Sequence, residues 1–371
     1  MFDFFSGRNT FLGIDIGTSS IKIVELKMVE NRPVLSNYAW MPISEEFLGK
    51  SDVDPDAHYA ALGACIRRIL KKASISSKNA YISIPASSGL ITMIDLPEMS
   101  EADIDKAIKF EAHKYIATPL DNLVVSWEVV AHKPVKKGVP SEETVGAERI
   151  DSGAGGLEVL LVIGLRDRIL KYEKMIGDTE LGLRSIDLET FPLSRVCVGN
   201  DEGTFILADI GSHTCNIVLV EKKIIRISRS IDTGGKEVTE TIAKSMNIDF
   251  ERAETLKMSE RNFFGEDSSI SFFALDMISG EISRVVESYH KKYGAGKNID
   301  GLILSGGASN MTGIDEYFQR KVQLETLVGN PFRRLSHDQR LDGALSKINN
   351  RFAVAVGLAL KGVDEYLAKS G

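Results

Sequence analysis

A chain of 371 residues, 43% hydrophobic and 26% charged, is long enough for roughly two domains of ordinary size. Its net charge of −7, with no dominant basic stripe, argues against a nucleic-acid-binding protein. Cys65, Cys197 and Cys215 form no CxxC pair, and Cys65 and Cys215 fall in apolar segments, as expected of buried thiols in a reducing cytoplasm.

The opening Met1-Phe-Asp-Phe-Phe5-Ser-Gly-Arg8 lacks the apolar core of a secretory signal, and Phe352–Leu360 is far short of the ~20 residues that span a bilayer. A soluble intracellular protein without a transmembrane segment is expected. Phe11–Val24 then reads as an apolar strand ending in Asp15, a hydroxyl-rich turn at Gly17, and a second strand running through Ile21–Met28. A third strand is predicted at Val34–Trp40, a helix opening at Asp54-Pro55, and a strand at Ala80–Ile84 that stops at Pro85.

From about residue 86 the pattern changes to a small α+β block. It holds a strand at Ile91–Leu96, a helix opened by Ser100-Glu-Ala-Asp103 and extending to Tyr115, and strands at Val124–Val130 and Leu157–Leu165. Lys133–Gly156, rich in Lys, Glu, Gly and Ser, is expected to be an exposed, mobile hairpin tip. A helix at Arg166–Thr179 and a strand at Arg184–Leu188 close the block, giving an insert over 86–186.

The second half restarts the first. Phe205-Ile-Leu-Ala-Asp209-Ile-Gly211-Ser-His-Thr-Cys-Asn216-Ile-Val218 repeats the opening segment at an offset of 194 residues from Asp15 to Asp209. Helices are predicted at Lys236–Met246, Phe250–Lys257, Ser271–Tyr293 and Ile314–Val322, with a strand at Gly301–Leu304 before the last of them. Arg351–Tyr366 is an apolar helix expected to return to the first half. Two β-β-β-α-β-α halves point to a duplicated α/β architecture.

The repeated turns carry the chemistry. Hairpins of this kind aim backbone N–H groups at one point, and a strand-end Asp can hold hydrated Mg²⁺ beside phosphate oxygens. Asp15 and Asp209 are thus the candidate metal residues, through water, and Gly17, Thr18, Ser19, Gly211 and Ser212 the candidate phosphate contacts. Lys22 either reaches back to a β- or γ-phosphate or is a solvated strand lysine; Asn216 occupies its place in the second copy. His213 is either a phosphate contact or an ordinary turn residue. Gly306, Gly307 and Ala308 follow a buried strand and permit close approach of a ring to the main chain. Gly235, with Gly234, either admits a sugar that Lys236 or Glu237 would bond, or simply starts a helix. Glu189 either orients an attacking water or caps the helix that it begins.

Asp15-x-Gly17-Thr18, Asp209-x-Gly211-Ser212 and Gly306-Gly307-Ala308 together resemble the two phosphate loops and the adenosine loop of the actin, heat-shock chaperone and sugar-kinase superfamily. The segments Phe11–Leu26, Phe110-Glu-Ala-His-Lys-Tyr-Ile116 with Pro119-Leu120, and Ala253-Glu-Thr-Leu-Lys257 are similar to the PilM family of type IV pilus assembly proteins, relatives of FtsA. The resemblance covers nearly the whole chain; Ala117-Thr118 stands where that family commonly has proline. It implies an actin-like, ribonuclease-H-like duplicated fold: a first domain over 1–200 with the insert, a second over 201–350, and a returning helix over 351–371. It also implies bound ATP with Mg²⁺, at most slow hydrolysis, and a cytoplasmic scaffold held at the inner membrane by a partner. That partner is the N-terminal peptide of a bitopic pilus protein of the PilN kind, in a groove involving Ala80–Ile84 and Ser100–Tyr115. The assembly ATPase is a second implied partner, and self-association is left open.

Two other functions fit the same superfamily. A small-molecule kinase needs a base and a substrate pocket before the phosphate clamp, and no second polar cluster supplies one. A membrane-bound division filament of the FtsA kind would carry a basic amphipathic C-terminal helix, whereas Gly362–Gly371 is not net basic.

Overall fold

The structure, a computed structural model, describes residues 9–43, 55–116, 118–133, 156–265 and 268–370. Met1–Arg8, Asp54, Ala117 and the expected hairpin tip between Lys133 and Gly156 lie outside them. The chain forms two compact units: Gly89–Arg168, and everything before and after that segment.

In the larger unit, two five-stranded sheets share one topology. The first is built from β1 (Thr10–Ile16), β2 (Ser20–Val29), β3 (Arg32–Pro42), β4 (Asn79–Ile84) and β8 (Gly182–Leu188), in the order β3-β2-β1-β4-β8. The second is built from β9 (Thr204–Ile210), β10 (Cys215–Glu221), β11 (Ile224–Ile231), β12 (Gly301–Ser305) and β13 (Thr326–Val328), in the order β11-β10-β9-β12-β13. In each, three antiparallel strands continue into parallel ones. Even the bulges correspond, at Glu25/Leu26 in β2 and at Leu219/Val220 in β10. Both first strands are almost wholly buried, which explains why each reads as an unbroken apolar run rather than an alternation.

Pairing of β8 with β4 corrects the insert's boundary. The sequence reading put Arg184–Leu188 in the 86–186 block, but Ser185, Ile186 and Asp187 pair in parallel with Tyr81, Ile82 and Ser83. The insert therefore ends at Arg168. β4 is hydrogen-bonded on both sides, by β1 and β8, and has no free edge.

The smaller unit is a three-stranded antiparallel sheet in the order β5-β7-β6, from β5 (Gly89–Pro97), β6 (Leu123–Lys133) and β7 (Gly156–Leu165). Helix α2 (Glu101–Ala112) buries Ile104, Ile108 and Ala112 in a core with Leu157, Val159, Leu161 and Ile163 of β7. The Ser100 hydroxyl caps its N-terminus by accepting from the Asp103 amide. It ends at Ala112 rather than Tyr115, whose ring is 46% exposed.

Covering the first sheet is α10 (Ala353–Ser370), the final helix. A Cβ on Gly13 of β1 would lie only 2.0 Å from the Ala355 carbonyl oxygen, so here helix and strand meet backbone to backbone. The same helix abuts α4 (Thr190–Cys197), where a Cβ on Gly357 would strike the Pro192 carbonyl at 2.0 Å. Lys361 bonds Asp187 at 2.5 Å, and Arg195 donates to the Gly357 carbonyl at 3.0 Å. The second sheet packs in one core with α5 (Gly235–Met246), α7 (Phe273–Tyr293) and α8 (Ile314–Val322).

A nucleotide-sized cleft between the repeated hairpins

Both repeated turns are closed by the same bond. The Gly17 amide donates to the Ser20 carbonyl at 3.1 Å, and the Gly211 amide to the Thr214 carbonyl at 2.9 Å. This closeness favours glycine: a Cβ on Gly211 would lie 2.9 Å from the Thr214 carbonyl oxygen, and one on Gly17 a tight 3.1 Å from that of Ser20. Among the described residues, the amides of Thr18, Ser19, Ser212 and His213 have no acceptor, which leaves four donors for an anion. The two tips approach each other: Thr18 Oγ1 lies 3.4 Å from His213 Nδ1.

Between the hairpins lies a cleft of about 550 Å³, lined by Asp15, Ser19, Lys22, Asp209, Gly211, Ser212, Gly235, Lys236, Gly306, Gly307 and Ala308 among the residues read from the sequence. That volume suits a nucleotide-sized ligand. Gly17, Thr18, Glu189, His213, Asn216 and Glu237 stand behind or beside the lining rather than in it.

Cross-strand register places the charges. Lys22 sits opposite Asp15 and bonds it at 2.9 Å, and Asp15 also accepts from the Ser83 hydroxyl at 3.1 Å. Burial disfavours the Lys22 cation, but Asp15, Asp209 and Glu189 outweigh it and raise the ammonium above its ordinary value. In the second copy Asn216 stands opposite Asp209 and supplies no charge. Asp209 is accordingly pushed up to about 6, by burial first and by the Asp15 charge second, with Lys22 opposing. Two carboxylates beside one lysine leave an uncompensated negative charge, an arrangement that fits a hydrated divalent cation bound with phosphate.

The Asn216 side chain points elsewhere. It is 2% exposed, and its amide donates to Glu189 Oε1 at 2.9 Å. That same oxygen accepts from the Ala86 amide at 2.8 Å. Glu189 precedes α4 without capping it and is raised to about 7, by burial chiefly and then, against the Ala86 bond, by Asp15 and Asp209. A carboxyl poised near neutrality beside a polyphosphate-sized cleft is suited to accepting a proton from water.

Two readings change on inspection. Glu237 accepts from the Gly234 amide at 2.8 Å, so its carboxylate is taken by the N-terminus of its own helix. A Cβ on Gly234 would lie 2.6 Å from the Gly211 carbonyl, and the Gly235 and Lys236 amides bond the Gly211 and Ser212 carbonyls at 2.8 and 2.9 Å. This glycine pair docks the second hairpin onto α5. Gly306, at φ 85°, presses on β9: a Cβ there would be 2.4 Å from the Ile210 carbonyl oxygen.

Trp40, Glu254, Lys257 and Arg351 also line the cleft and escaped the sequence reading as site residues. Lys257, at the end of α6 (Phe250–Lys257), is 4% exposed and donates to the Gly235 carbonyl, Thr239 Oγ1 and Glu254 at 3.0, 2.7 and 2.6 Å. Burial lowers its pKa against the pull of Glu254. Trp40 had a signal: it sits opposite Lys22 across β2–β3, which completes a row Asp15–Lys22–Trp40.

The profile of the family described as type IV pilus assembly protein PilM matches residues 13–363. The chain belongs to the PilM family. Among solved structures, a PilM–PilN type IV pilus biogenesis complex is similar at a TM-score of 0.75 and 22% identity, covering 96% of this chain and 99% of that one. The ethanolamine utilization protein EutJ from Carboxydothermus hydrogenoformans is similar at 0.52 and 18%, covering 95% and 89%. ADP-bound MreB5 of Spiroplasma citri gives 0.50 and 14%, covering 98% of each chain. The duplicated sheets are thus those of the two-domain actin-like fold. Cell division protein FtsA from Enterococcus faecalis is 25% identical over 359 residues, 85% of this PilM-family chain and 78% of its own length. FtsA from Neisseria meningitidis serogroup B is 27% identical over 301 residues, 73% and 69%. No helix among the described residues is long and apolar enough to cross a membrane.

Proposed function

We propose that this PilM-family protein is an ATP-binding scaffold of type IV pilus assembly. Its partner is the cytoplasmic N-terminal peptide of a bitopic inner-membrane protein of the PilN kind, which holds it at the membrane and which it couples to the assembly ATPase. The observation that carries the nucleotide half is the pair of in-register hairpins, of whose four open amides those of Ser19 and Ser212 belong to residues that line one cleft with Asp15, Asp209 and Lys22. In this reading the amides of Thr18, Ser19, Ser212 and His213 hold the phosphates. Lys22 faces them, Asp15 and Asp209 hold Mg²⁺ through its waters, and Gly306–Ala308 approaches the adenosine. Lys236, in the cleft wall, would bond the sugar. Magnesium supplies charge neutralisation of the phosphates when bound. In this reading Glu189 takes a proton from water, so a slow ATPase is part of the proposal. The partner half is supported by family membership and by the PilM–PilN complex among similar folds.

Thermal unfolding with and without ATP and Mg²⁺ tests the first half, because a ligand that binds only the native state raises the melting temperature. An ATP-dependent rise that survives both Asp15→Ala and Asp209→Ala would refute the clamp. Capture from solubilised inner membranes, with peptide mapping of what is retained, tests the second; failure to retain a bitopic pilus protein with or without ATP refutes it.

A further inference from the structure

Helix α7 buries Leu275, Ile278, Ile282, Val285 and Tyr289 in the core of the second sheet and leaves one stripe outside it. Its exposed residues are Phe273, Met277, Gly280, Arg284, Glu287, Lys291 and Lys292, and the first six recur at steps of 4, 3, 4, 3 and 4. That alternation is the seam along which one helix meets another. The charged half of the stripe is an ordinary solvated face, but the other half is not. Phe273 is 73% exposed and Met277 45%. Gly280 stands inside a 21-residue helix, where only proline is less favourable, and a Cβ there would meet nothing within 4 Å. Among the described residues, no packing in the chain itself calls for a glycine or for two apolar side chains here. Arg284, whose side chain is 71% exposed, is tethered to the stripe by Glu281 at 2.6 Å.

We infer that this face pairs with the same face of a second copy of the chain, the two helices running antiparallel. About a two-fold axis at Ile278–Ser279, Met277 of one copy faces Gly280 of the other, and Phe273 faces Arg284. Each contact occurs twice, as an interface between identical patches requires. Met277 fills the gap that Gly280 leaves, and the Arg284 guanidinium lies flat on the Phe273 ring. A parallel pair would instead set Arg284 against Arg284 and Gly280 against Gly280, a repulsion beside a hole. Size and charge complementarity thus select both the occupant and its direction. A contact of about three helical turns buries less than about 1,200 Å², so the dimer is weak and governed by concentration. The inference does not depend on what the cleft binds.

Sedimentation equilibrium of the whole protein over a concentration series, without nucleotide, tests it. The wild type is expected to behave as a reversible monomer–dimer system. Gly280→Leu, whose side chain enters open space and suits a helix, is expected to weaken the dimer at least about tenfold while the melting temperature does not fall. Met277→Glu is expected to weaken it comparably. Phe273→Lys and Arg284→Glu should each weaken it, and the double variant should recover affinity, because opposite charges then face each other at both contacts. A wild type that stays monomeric at every concentration overturns the inference and leaves the stripe to a helix of a different protein. A dimer indifferent to Gly280→Leu, or a double variant no tighter than the single ones, overturns it as well.

Discussion

Asp15 and Asp209 occupy equivalent places in the two repeats, yet replacing each by Asn is expected to move stability in opposite directions. The Asp209 carboxyl is raised to about 6 by burial and by Asp15, against an ordinary value of about 3.9. The folded pKa exceeds the unfolded one, so the native state binds the extra proton, and stability falls as pH rises through the window from about 4 to about 6. Two pKa units set an upper bound of about 3 kcal/mol for this cost at pH 7.5, falling to about a third of that at pH 4.5. Asp209→Asn removes it. With an unfolding entropy of about 2.1 cal/mol/K per residue over 371 residues, each kcal/mol is worth about 1.3 °C. The variant is therefore expected to melt about 1–4 °C higher than the wild type at pH 7.5 without ligand, with a much smaller gain at pH 4.5. Asp15→Asn removes the partner of Lys22, whose ion pair is 6% and 18% exposed on its two sides. It is expected to cost about 1–2 kcal/mol, less than a fully buried pair because water and Asp209 compensate part of the loss. Calorimetry of both variants at the two pH values decides the matter. If Asp209→Asn melts lower than the wild type at pH 7.5, or gains equally at both pH values, the charge imbalance inferred from the Lys22-to-Asn216 exchange is wrong.

Three further outcomes follow from the same geometry. Gly306→Ala is expected to destabilise by more than about 2 kcal/mol, since it combines a φ of 85° with a 2.4 Å approach to the Ile210 carbonyl; a denaturant midpoint within error of the wild type would contradict this. If Glu189 accepts the proton in hydrolysis, single-turnover ATP cleavage should rise with pH around 7. Glu189→Gln should flatten that profile, and Asn216→Ala, which removes a bond favouring the carboxylate, should move it alkaline. Apparent Mg²⁺ affinity in the presence of ATP should strengthen between pH 5 and 7 as Asp209 ionises, and a pH-independent titration would remove Asp209 from the metal site.

What was legible in the sequence was whatever repeats or alternates locally. The hairpins could be read because Phe, Asp, Ile, Gly, Ile and Val recur in register, and the strands they define have the same order in both sheets. Lys257 was not legible: at the end of a short helix it has the pattern of a solvated residue, and only the packing of α6 against α5 buries it. Glu237 shows the opposite failure. An acid three residues after a helix-starting glycine looks the same whether it bonds a ligand or its own helix, and here it bonds the Gly234 amide. The insert's end was misplaced because the partner of Gly182–Leu188 is β4, a strand made long before it, and no local periodicity records that pairing. Arg351 and Trp40 meet for the same reason, across the fold rather than along the chain.

The backbone contact of Ala353–Ser370 with Gly13 carries a consequence for how the protein is made. A ribosome delivers β1 long before the helix that covers it. Until that helix emerges, the face of the first sheet that it covers has no lid, and Phe11 and Tyr81, 5% and 4% exposed in the finished protein, face solvent or a chaperone. Completing the core of the first repeat thus depends on a contact of very long sequence separation. The second repeat, whose core helices all lie within its own stretch of chain, is free to fold while synthesis continues.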